Sequence, residues 1–120
     1  MNRESKIIIF DIVGNGHCTA SEDGQNVFLA IRTKLRQGVQ VSLSFSNVED
    51  LTSAFLNAAV GQLYSEFTET QIKELLSVVE AKQEDLALLK RVVDRAKDFF
   101  KTPERYKEAA ENMLGDDNDR

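Results

Sequence analysis

Residues 39–60, VQVSLSFSNVEDLTSAFLNAAV, change period half-way along. Val39, Val41, Leu43 and Phe45 alternate with Gln40, Ser42, Ser44 and Ser46, the two-residue period of a strand with one apolar face. Beyond the switch the spacing becomes three and four: Leu56, Ala59, Val60, Leu63 and Phe67 fall on one helical stripe. The spacing predicts a strand over 39–45 and a helix from Thr52 or Ser53 to about Phe67, kept slim by Ala58 and Gly61. A strand covered by helices on both faces reads apolar throughout. The serines therefore predict a sheet with helices mostly on one face.

Upstream, the run KIIIFDIV predicts a buried strand over 6–13, and GNGHCTASEDG a loop over 14–24. Val27, Phe28, Ile31 and Leu35 predict a helix over 23–37, with Asp23 or Ser21 to cap its start and Gly38 to supply a left-handed stop. Strand, helix, strand, helix with short connections implies a right-handed parallel crossover, hence an α/β domain with a mainly parallel or mixed sheet. A third strand is wanted, and LLSVVEA (75–81) is the candidate. Ile72, Leu75, Leu76 and Val79 also fit a helix, so the local pattern leaves both open. Leu86, Leu89, Val92, Val93, Ala96 and Phe100 mark a helix over 84–100. Thr102 and Pro103 then begin a last, peripheral helix over 103–114, and GDDNDR (115–120) reads as a disordered acidic tail. The whole suits one domain over 1–114.

A net charge of −5 leaves no electrostatic footprint for nucleic acid. No run approaches the roughly 20 apolar residues of a membrane span, and Asp11 interrupts the N-terminal run, which lacks a cleavage pattern. Cys18 is the sole cysteine, so no internal disulfide forms and a reducing, cytoplasmic setting is expected. One His and one Cys, adjacent as His17-Cys18, fall short of the four ligands of a structural zinc site, and no metal or other cofactor is expected. The carboxylates sit at helix-surface positions such as Glu49, Asp50, Glu66 and Glu69 and nominate no acid/base pair. A non-enzymatic protein is expected. The loop glycines Gly14, Gly16 and Gly24 do not match the dinucleotide fingerprint. A small-ligand or nucleotide sensor built on Gly14, Asn15 and Gly16 is the alternative.

The order of elements, together with Phe45, Ser46-Asn47-Val48, Thr52-Ser53 and Phe55-Leu56, resembles the STAS-like domains. The likeness is to small bacterial STAS-like proteins of uncharacterised function, related to the anti-sigma-factor antagonists, and it spans residues 6 to about 100. The resemblance implies that 75–81 is a strand. It also implies a regulatory protein–protein interaction module whose partner is a histidine-kinase-like ATPase. By that likeness Ser53 stands at the serine phosphorylated in the antagonists, and Asn47, Thr52 and Ser53 form the docking rim. Thr52 stands where those antagonists carry an acidic residue, and Ala54-Phe55 where they carry Ser-Gly. Helix capping alone also accounts for a hydroxyl pair at this position.

Overall fold

The computed structural model describes residues 3–101. In chain order these form β1 (Glu4–Ile8), α1 (Ile9–Val13), β2 (His17–Cys18), α2 (Ser21–Arg36), β3 (Gln40–Ser44), β4 (Asp50–Leu51), α3 (Ser53–Ala59), a 3-10 helix (Gly61–Ser65), α4 (Glu69–Leu75), β5 (Leu76–Val79) and α5 (Gln83–Lys101). The main sheet has the order β1-β3-β5, both pairings parallel; β2 and β4 form a second, two-stranded parallel ladder.

The register explains the alternation in β3. Ile7, Leu43 and Val78 lie side by side, as do Lys6, Ser42 and Ser77. The first row faces the core, where Ile7, Val41 and Leu43 are buried; in the second, Lys6 and Ser77 are exposed. One side of the sheet is thus covered and the other is thin and polar, as the serines predict. Ser44 departs from this pattern, being fully buried. Its hydroxyl donates to a Glu80 carboxylate oxygen at 2.5 Å and accepts from the Ser46 N–H at 3.1 Å, so the buried oxygen is satisfied. Glu80, in the left-handed region with φ 57°, also pairs with Lys6 at 3.1 Å.

On the core side, α2 and α3 approach closely at Gly24. A Cβ there would stand 2.4 Å from the Phe55 carbonyl oxygen and 2.9 Å from the Ala58 Cβ. Phe55, Ile31, Leu43, Leu56 and Leu63 fill the centre, fully buried. The α5 helix closes the bottom through Leu89, Val92 and Ala96, with Gly61 against the last two.

The structure redraws several predicted boundaries. The run over 6–13 is not one strand: β1 ends at Ile8, and Ile9–Val13 turn into α1, which Gly14 closes at φ 92° by donating to the Phe10 carbonyl at 2.8 Å. A near-continuous apolar run fits a strand and a short helix equally well, and Gly14 supplies the left-handed helix end. The predicted loop 14–24 holds β2 and the first turn of α2. That helix starts after Ala20 without a side-chain cap, so neither Ser21 nor Asp23 has the predicted capping role. Gly38 does adopt the left-handed conformation, φ 73°. The helix predicted from Thr52 to Phe67 breaks at Val60, φ −120°, and continues as the 3-10 helix. The ambiguity over 72–81 resolves into both answers. Thr68 and Gln71 form a capping box that starts α4, which leads directly into β5. Leu86 does not share the buried face of α5, being 44% exposed. The helix expected over 103–114 and the tail over 115–120 lie outside the described residues.

Two outcomes follow. Gly24→Ala should lower stability by about 1–3 kcal/mol, the cost of forcing atoms into a packed contact. Gly61→Ala, whose Cβ would meet nothing nearer than Asn57 Oδ1 at 3.4 Å, should change it by less than about 1 kcal/mol; denaturant melts of both variants check this. The Glu80 carboxyl is held below its ordinary range, first by the Ser44 hydroxyl and then by Lys6. A depressed carboxylate contributes stability above its unfolded pKa, and that contribution is lost as pH falls through the folded pKa. Glu80→Gln should therefore flatten the fall of Tm on the acid side of the carboxylate range, and an unchanged acid limb would show that the Ser44–Glu80–Lys6 contacts do not form in solution.

Candidate functional site

Residues 14–18 and 47–53 are far apart in sequence and come together as one rim. The seam is backbone. The Gly16 carbonyl accepts from the N–H groups of Glu49 at 2.8 Å and Asp50 at 3.1 Å, and the Cys18 carbonyl from the Thr52 N–H at 3.2 Å. These bonds accompany the β2–β4 ladder, in which His17 faces Asp50 and Cys18 faces Leu51. The contact is tight enough that a Cβ on Gly16 would stand 2.5 Å from the Asn47 carbonyl oxygen. Asn47 is exposed and left-handed, φ 64°, a conformation asparagine tolerates better than most residues. It lies in the turn closed by the Val48 N–H on the Phe45 carbonyl, 3.2 Å.

The seam delivers the chain into α3. Thr52 is the N-cap: its hydroxyl accepts from the Phe55 N–H at 3.1 Å and donates to the Thr19 carbonyl at 2.9 Å. Both capacities of that oxygen go to holding the helix start onto residues 16–19. Ser53 occupies the first helical position and is exposed. Its side chain makes no hydrogen bond among the described residues. The two neighbouring hydroxyls have therefore separated, one fixed inward and one presented to solvent.

Gly14 and Asn15 also reach the rim, and both have structural duties. Gly14 closes α1, and Asn15 Oδ1 accepts from the His17 N–H at 2.7 Å. His17 Nδ1 and Asp50 Oδ2 are 2.5 Å apart, both side chains more than half exposed. Local sequence gave no sign of this pair, since its members are 33 residues apart and meet only through the β2–β4 register. Cys18 is fully buried beneath it. Burial first, and then the negative charges of Asp23, Asp85 and Asp50, push its thiol up to about 11. It stays protonated at neutral pH and is a core residue, not a nucleophile. Glu49 and Asp50, both exposed, add acidic side chains to the seam. An open groove of about 410 Å³ lies elsewhere, between the end of the 3-10 helix and α5, lined by Tyr64, Phe67, Thr68, Lys97 and Phe100 among others. Among the described residues, no three His, Cys, Asp or Glu side chains are placed to hold a metal ion.

A family model described as a STAS-like domain of unknown function, DUF4325, matches residues 23–86. The chain belongs to this STAS-like family. The match runs from α2 to the beginning of α5 and includes Asn47, Thr52 and Ser53; β1, α1 and β2 precede it. No curated protein and no solved structure matches the chain. In this STAS-like domain no helix among the described residues is long and apolar enough to cross a membrane.

The two hydroxyls should respond differently to removal. Thr52→Ala should cost about 1–2 kcal/mol, the upper range for a lost cap, with Thr52→Ser restoring most of it, whereas Ser53→Ala should cost less than about 0.5 kcal/mol. Chemical denaturation distinguishes them. Cys18 in the folded domain should resist iodoacetamide at neutral pH and react once the chain is unfolded; labelling of the native protein at the unfolded rate would contradict the buried placement.

Proposed function

We propose that this STAS-like domain is a non-enzymatic regulatory module that docks a protein partner on the rim formed by Asn47, Thr52, Ser53 and the adjoining residues 15–18. The observation that carries the reading is the separation of the two hydroxyls. Thr52 is spent on the scaffold, while Ser53 stands exposed on a helix start held by that scaffold. A docking surface benefits from such rigidity, because little conformational freedom is lost on binding. The resemblance to anti-sigma-factor antagonists supplies the partner class, a histidine-kinase-like ATPase, and makes Ser53 the switch residue. Phosphorylation there would add nearly two negative charges to an exposed position without removing any contact that holds the fold. Binding would be tuned and the domain would stay folded.

The reading is tested with two variants and a partner obtained by co-purification with the tagged full chain from its native host. Ser53→Ala should bind within about threefold of the parent, since one solvent-facing hydroxyl contributes little. Ser53→Asp should bind at least about a hundredfold more weakly, because an unpaired charge buried at an interface costs several kcal/mol. Equal binding by the parent and a folded Ser53→Asp variant removes Ser53 from the docking surface.

A further inference from the structure

The main sheet ends at β1 on one side. Among the described residues its only pairing is with β3. The Gln40 N–H donates to the Arg3 carbonyl at 2.9 Å. In a parallel ladder alternate residues carry the bonds to one neighbour, so Arg3, Ser5 and Ile7 serve β3. The N–H and C=O groups of Glu4 and Lys6 point away from it, along the free edge. Edge strands are commonly blunted by charge, lysine above all, and β1 carries two exposed charges, Glu4 and Lys6. They have opposite sign and sit two residues apart, which has a specific consequence. When two copies of β1 meet antiparallel about a two-fold axis through Ser5, Glu4 of each copy falls opposite Lys6 of the other. The same register sets the outward N–H and C=O groups of Glu4 against those of Lys6, the bonded pairs of an antiparallel ladder. Opposed unlike charges on one sheet face favour that register. Centring the axis on Lys6 instead would set like charges face to face.

We propose that the free edge of β1 is a self-association surface, on which a second copy of this chain pairs antiparallel about Ser5 and joins two three-stranded sheets into one of six. The Glu4 and Lys6 charges select the register rather than forbid the contact. Lys6 keeps Glu80 as its neighbour within the chain and gains Glu4 of the second copy. The surface is distinct from the Ser53 rim, and the inference does not depend on the docking reading. A short edge contact of this kind forms a weak, reversible dimer, populated in the micromolar to millimolar range.

Sedimentation equilibrium of the full chain over that range should show the mass rising from one chain towards two, and less steeply at high salt. Lys6→Glu and Glu4→Lys each place two like-charge pairs in the register, so each should weaken the dimer at least about tenfold. Mixing the two variants should restore association, because a Lys6→Glu chain opposite a Glu4→Lys chain has unlike charges at both positions. Circular dichroism checks that each is folded, since Lys6→Glu also loses its pair with Glu80. A second measurement needs neither variant. In Ser5→Cys the two introduced thiols face each other across the axis and should form an intermolecular disulfide under mild oxidation, while Cys18 stays buried. A parent that remains monomeric throughout, a dimer that persists in either single variant, a mixture that fails to associate, or a Ser5→Cys chain that does not cross-link where the parent dimerises would each overturn the proposal. Persistence in the variants would place association at β5 or on a helical face.

Discussion

Gly16 is where two distant stretches of chain come so close that no side chain fits between them. Its carbonyl receives two N–H groups from the stretch after β3, and its missing Cβ leaves room for the Asn47 carbonyl. Everything at the rim depends on that contact. It aligns β2 with β4, brings Thr19 within reach of the Thr52 hydroxyl, and fixes where α3 begins. Backbone bonds of this kind are favoured because a buried unpaired N–H or C=O costs more than the bond itself contributes. With the seam closed, Thr52 is spent and Ser53 is presented.

The second constraint is the one-sided sheet. Buried Ile7, Val41 and Leu43 commit one face to the helices, and Lys6, Ser42 and Ser77 leave the other polar. A one-residue slip of β3 would exchange the two sets, so the alternation specifies register as well as face. The tight α2–α3 contact at Gly24 then sets the helical layer at a fixed spacing, and Phe55, in the first turn of α3, carries that contact into the centre of the core.

Where the sequence was legible, the reason was periodicity. The strand around Val41 and Leu43 and the helices around Ile31 and Val92 have strong, single-period patterns, and each lies within a residue or two of its predicted place. Elements were missed where one apolar run served two conformations. Ile7 to Val13 holds a strand end and a helix, and Ile72 to Val79 holds a helix end and a strand. Periodicity over four or five residues does not separate the two; the STAS-like resemblance placed the strand, while the Thr68–Gln71 capping box, a readable signal, marks the helix before it. At the site, the hydroxyl pair was legible as a helix start. Its division into an inward Thr52 and an outward Ser53 was not, because it depends on Thr19, 33 residues away. The His17–Asp50 pair was illegible for the same reason.

The most direct test of the account is hydrogen exchange at the amides of Glu49, Asp50 and Thr52, compared between the parent and Gly16→Ala. In the parent these three amides should be protected, because each donates to a carbonyl of residues 16–18. In Gly16→Ala the new methyl must displace the Asn47 carbonyl, and their protection should fall at least about tenfold while the amides of Val41 and Leu43 in β3 keep theirs. Unchanged protection at the three amides in a folded Gly16→Ala protein, or an equal loss across β3 and the seam, would contradict the claim that this contact builds the rim.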